Sequence, residues 1–153
     1  MRVPLLAVLA CAAGLVLAAP TQAAPTKATP PARMKAIVRL WSKRLNDGDN
    51  KGLALLFRVP AEMIQGPYVY RLINRSQIAL WHSSLPCSGH IVSITVRGRN
   101  ATAVFRLGNR AFSKCDAPPG TLAAARFTIV DGKIAVWQQV PVPKQKTAAG
   151  PAA

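Results

Sequence analysis

The chain has 153 residues, of which 20 are Lys or Arg and 5 are Asp or Glu, giving a formal net charge of +15. Once its flanks are set aside, this length accommodates one small domain. The basic residues are dispersed instead of forming a run interleaved with aromatics, which speaks against specific nucleic-acid binding. No Ser-His-Asp set, phosphate-binding glycine loop or metal-ligand motif is present.

Residues 1–24 read as a secretory signal peptide: Arg2 precedes an uncharged apolar run, and the small residues Ala23 and Ala24 supply the cut. Cys11 belongs to that run, and a retained membrane anchor is the alternative because the run approaches spanning length. Residues 25–32 form a Pro/Ala/Thr linker and residues 142–153 a tail, both with little apolar surface to bury. The folded domain is expected over residues 33–141. For an exported protein of this charge, an anionic cell-envelope surface is the expected neighbour.

Met34, Ile37, Val38, Trp41 and Leu45 recur at helical spacing from Arg33 onward and predict an amphipathic helix that stops at Asn46-Asp47-Gly48. Asp49 or Asn50 caps a short second helix over 51–57. Strands follow at 59–64 and 68–73, then a third helix over 77–84, capped by Asn74 or Ser76. A hairpin spans 90–97 and 101–107, with Val92, Ile94 and Val96 on its buried face. After a loop, a last hairpin turns at Asp131-Gly132, a pair suited to a type I′ turn. Counting outward from that turn places Ile129, Ile134, Phe127, Val136, Ala125 and Gln138 on one face, with Arg126, Thr128, Ala135, Trp137 and Gln139 on the other. Cys87 and Cys115 are the two cysteines beyond the leader, and in an oxidising compartment they are expected to pair.

The order helix, helix, strands, helix and four strands, with "WSKRLNDGDNKGLALLF" near the start and "DGKIAVWQQVP" near the end, resembles the nuclear transport factor 2-like superfamily, including its SnoaL-like group. The resemblance implies an α+β fold in which a strongly curved mixed sheet wraps around three helices of the N-terminal half to form a cone with an apolar pocket. It places Trp41, Tyr70, Phe127, Val136 and Gln138 at that pocket. It also implies a homodimer through the outer sheet face, where Arg126, Trp137 and Gln139 would meet a second subunit, with Arg126 stacked on Trp137.

Enzymes of this superfamily place Asp, His, Tyr or Arg in the cone, and two residues are candidates for such a role here. Glu62 is the only acid on a predicted strand, and its competing account is a solvated edge residue pairing with an Arg. His82 could act as acid or base, and its competing account is a structurally satisfied imidazole. The leading expectation is an exported, disulfide-stapled, non-catalytic domain that binds a small apolar ligand or a protein partner, with no cofactor or metal. The alternatives are a SnoaL-like isomerase, dehydratase or hydrolase, and a basic module that adheres to the envelope.

Overall fold

The apolar stripe of the first helix is laid down on a sheet as the spacing predicts. The computed structural model describes residues 30–144, so the expected leader and most of the expected tail lie outside the described residues. Helix α1 (Pro30–Asn46) buries Met34, Val38, Trp41 and Leu45. It starts within the stretch read as linker, which is compatible with two prolines because first-turn N–H groups have no helical partner to lose. Gly48 ends it with a φ of 73°. Helix α2 (Asn50–Ala54) is capped by the Asp49 carboxylate, which accepts from Gly52 N at 2.8 Å. Helix α3 (Arg75–Ser83) is capped in the same way by Asn74, which accepts from Gln77 N at 2.9 Å.

Six strands complete the fold: β1 (Phe57–Gln65), β2 (Tyr68–Leu72), β3 (Ser88–Arg97), β4 (Asn100–Gly108), β5 (Leu122–Val130) and β6 (Lys133–Val140). They form one sheet in the order β2-β1-β6-β5-β4-β3, antiparallel except where β1 and β6 run parallel. This is an α+β fold with an open, mixed sheet and its helices ahead of the last four strands. The inner face carries Phe57, Met63, Ala101, Ala103, Phe105, Ala125, Phe127, Ile134 and Trp137 against α1 and α3. Trp41 stands at the centre of that core. Its ring lies edge-on to Phe127 at 5.0 Å and tilted to Phe105 at 5.7 Å, contacts worth about 0.5–1.5 kcal/mol each beyond the area they bury.

Two bulges change which residues face the core. The last hairpin turns at Asp131 and Gly132, both with positive φ as expected. Ile129 pairs with Ile134, but Thr128 then pairs with Val136, so Ala135 is an extra residue without a partner. From there outward the register differs by one from simple counting: Phe127 faces Trp137, Arg126 faces Gln138, and Ala125 faces Gln139. Because side chains alternate with period two, Trp137 and Gln139 turn to the inner face and Val136 and Gln138 to the outer. A second bulge in β3 leaves Val92 unpaired between Ile91 and Ser93, so Ile91 takes the inner position expected of Val92, which is exposed.

Candidate functional site

Between α1 and the inner face lies a cavity of about 190 Å³. Its space comes from small side chains: Ala123 and Ala125 on β5, opposite Phe105 and Ala103, leave a gap that larger residues would fill. Trp41 and Leu45 from α1, Phe105 and Leu107 from β4, and Trp137 from β6 supply apolar walls. The segment 85–89 forms one rim, held by the Cys87–Cys115 disulfide. Gly89 sits in that rim because a β-carbon there would overlap the carbonyl of Arg106.

Few polar groups reach the cavity, and its two serines are committed elsewhere. Ser42 Oγ donates to Gly89 O at 3.3 Å, and Ser88 Oγ bonds Asn46 Oδ1. Gln65 and Gln139 also line the cavity and make no side-chain hydrogen bond among the described residues. Trp137 is 6% exposed, yet its indole Nε1–H has no hydrogen-bond partner among the described residues. A buried donor left unpaired costs roughly 1–3 kcal/mol. Apart from Cys87, which is held in the disulfide, no titratable side chain lines the cavity.

His82 lies beneath this site and not in its wall. It is fully buried; its Nε2 accepts from the Trp41 indole N–H at 3.1 Å and its Nδ1 meets Ile78 O at 2.8 Å. An indole nitrogen only donates, so Nε2 is the acceptor and Nδ1 carries the proton. Burial lowers its pKa to about 4, against a smaller opposing effect of the Ile78 carbonyl and with Arg110 pushing the same way as burial. With both nitrogens committed to the protein, this imidazole has no lone pair or proton to offer a ligand.

The other sequence candidates separate. Glu62 is exposed on the outer face, between Val136 and Arg71 in the register, on the side of the sheet away from the cavity. Trp41 lines the cavity, while Phe127 is fully buried in the core beside it. Tyr70 is 41% exposed on edge strand β2, its ring 6.3 Å from that of Tyr68. Val136 and Gln138 face outward, opposite to the face that counting from the turn gives them, because of the bulge at Ala135. The same bulge separates Arg126, on the outer face, from Trp137 and Gln139 on the inner, so these three do not form one surface and Arg126 does not stack on Trp137. Gln65, Ala123 and Ala125 are cavity residues that the pattern did not single out, and Gln139, expected at a subunit interface, lines the cavity instead; the run of small residues in β5 is the one sequence mark of the gap.

Arg110 is a second residue not singled out. It is 7% exposed, and its Nη1 donates to the carbonyls of His82 at 2.7 Å and Leu85 at 2.8 Å while Nη2 donates to Asn50 Oδ1 at 2.8 Å. It ties the start of α2 and the end of α3 to the loop that carries Cys115. Among the described residues, no group of three or more His, Cys, Asp or Glu lies together as a metal site would require.

The same architecture occurs in solved structures. A Sinorhizobium meliloti protein described as a polyketide cyclase matches with a TM-score of 0.58 and 19% identity, covering 71% of this chain and 98% of that one. A nuclear transport factor 2-like protein of unknown function from Cytophaga hutchinsonii matches with a TM-score of 0.57 and 8% identity, over 76% of this chain and 93% of that one. A Catenulispora acidiphila protein with a ketosteroid isomerase-like fold, solved with trimethylamine, matches with a TM-score of 0.52 and 17% identity, over 69% and 84%. No family model matches the chain, and no curated protein matches it. At these identities the likeness concerns the fold, which is that of the nuclear transport factor 2-like proteins.

Proposed function

On a nuclear transport factor 2-like fold, we propose that this chain is an exported, non-catalytic binding protein for a small, largely apolar ligand that carries one hydrogen-bond acceptor. The observation that carries the reading is a cavity walled by Trp41, Leu45, Phe105, Leu107 and Trp137 whose lining also holds the amides of Gln65 and Gln139, which make no side-chain hydrogen bond among the described residues. At about 190 Å³ the cavity falls below the ~300–1,000 Å³ of sites for drug-sized molecules, so the ligand is small. A cavity without an available acid, base or nucleophile supports binding over turnover. The uncharged apolar N-terminal run and the disulfide support export, and among the described residues no helix is long and apolar enough to cross a membrane.

The test uses two probes of similar shape, cyclohexanone and methylenecyclohexane, followed through the Trp137 indole N–H resonance. The ketone should shift that resonance and bind more tightly than the alkene. Ala125→Leu, which fills the gap with a side chain that suits the apolar surroundings, should abolish both effects. Equal binding of both probes would remove the role given to the Gln65 and Gln139 amides, and no binding of either would remove the cavity as a ligand site.

A further inference from the structure

The outer face of the sheet carries a groove of about 1000 Å³, larger than the inner cavity and, unlike it, lined by cations as well as aliphatic residues. The register fixes its floor. One row across the strands reads Thr95, Thr102, Arg126, Gln138, and the next reads Arg97, Asn100, Thr128, Val136. The segment 141–144, leaving β6, forms one wall and brings Lys144 to the groove. Its lining therefore holds three cations, Arg97, Arg126 and Lys144, and no acid.

The donors of this floor are unspent. Arg97 and Arg126 are exposed and make no side-chain hydrogen bond or ion pair among the described residues. Thr128 Oγ1 donates to Asn100 Oδ1 at 2.8 Å, which occupies the amide oxygen of Asn100 and leaves its NH₂ group to face a ligand. Ser93, Thr95 and Thr102 add hydroxyls, and Leu122 and Val142 supply aliphatic surface at one end.

We propose that this groove binds an acidic polysaccharide, with Arg97 and Arg126 engaging carboxylates on successive sugars. Strand spacing and rise place their Cα atoms about 12 Å apart on the sheet, a separation at which two extended Arg side chains can each take its own carboxylate along a chain. Guanidinium groups match carboxylates bidentately, the hydroxyls and amides match sugar hydroxyls, and the aliphatic end suits the C–H face of a pyranose. The alternatives fit less well. No aromatic residue lines the groove, so the stacking platform on which single-stranded nucleic acid relies is missing. A second copy of this chain, docked about a two-fold axis, would bring like-charged arginine faces together. The inference stands apart from the ligand of the inner cavity and gives part of the +15 charge a defined site.

The test measures binding of an oligogalacturonate to the full mature chain by calorimetry, beside a neutral maltooligosaccharide, polyphosphate of equal charge and anionic vesicles. The oligogalacturonate should bind, the neutral glycan should not, and Arg97→Gln/Arg126→Gln should weaken binding at least tenfold with an unchanged melting temperature. A control pair with the same charge change on α1, Arg33→Gln/Arg39→Gln, should alter it less than twofold. Equal losses in the two double variants, or polyphosphate or vesicles binding as tightly as the oligogalacturonate, would overturn the proposal in favour of net charge. A dimer in sedimentation that Arg126→Gln dissociates would overturn it in favour of a second copy.

Discussion

The Trp41 indole N–H donates to Nε2 of His82 at 3.1 Å, joining a helix α1 side chain to a helix α3 side chain within the core and fixing the imidazole as its neutral Nδ1–H form. Protonating His82 would set two donors against each other at that contact. The bond therefore makes folding sensitive to pH.

His82 titrates near 6.5 when solvated and is held down to about 4 by burial in the folded chain. Between these values the unfolded chain binds the proton and the folded chain does not. This contribution to stability is fully present above pH 6.5 and is lost as the pH falls towards 4, by roughly 3 kcal/mol at 1.4 kcal/mol per unit. Urea denaturation at pH 7 and at pH 4.5 should show a clear fall in the midpoint, and the His82 ring resonances of the folded chain should stay those of the neutral form down to about pH 5. A ring that titrates at pH 6 or above in the folded protein would contradict the bonding described.

Arg110 satisfies two backbone carbonyls and the Asn50 side chain at once. Arg110→Ala leaves Leu85 O and Asn50 Oδ1 without this donor and His82 O with only the Leu85 N–H, and should cost about 3 kcal/mol. Arg110→Lys should recover less than half of that, because an ammonium on a single stem cannot span three acceptors held by a planar fork. Thermal melts of the two variants check this; full rescue by Lys would show that only the charge matters.

The Cys87–Cys115 bond closes a loop of sequence separation 28, and it holds the cavity rim to the loop that carries Arg110. Cys115→Ser should lower stability by about 2–5 kcal/mol. It should also weaken binding of the ketone probe, because segment 85–89 loses its tether. An unchanged denaturation midpoint would mean that contacts such as the Ser113 Oγ bond to Pro86 O, at 3.0 Å, suffice to hold that loop.

The parts of the fold that were legible are those that short-range patterns encode. Met34, Val38, Trp41 and Leu45 announce one helix face, Asn74 a cap, and Asp131-Gly132 a turn. The faces of the last hairpin were not legible beyond Ile129, because Ala135 fits either side of a sheet and nothing in its neighbours marks it as the extra residue. That single residue exchanged Trp137 with Val136 and Gln138, and with them the apparent composition of the pocket and of the outer surface. His82 was legible as a satisfied imidazole but not as a fully buried one, since its partners lie 41 positions back and on the preceding helical turn. Arg110 was hidden for the same reason: what makes it structural are carbonyls, which no sequence displays.

The parallel joint between β1 and β6 makes the last of the six described strands in chain order the one on which both halves of the sheet depend. Before it emerges, the β1–β2 ribbon and the β3–β5 meander are two fragments, each with a bare edge of unpaired N–H and C=O groups. The joint brings Phe57 beside Ile134, a separation that makes its closure slow relative to the hairpins around it. The growing chain is thus most open to pairing with other molecules in the interval before β6 joins the sheet. A chain cut short ahead of β6 would be left with adhesive edges instead of a smaller working domain.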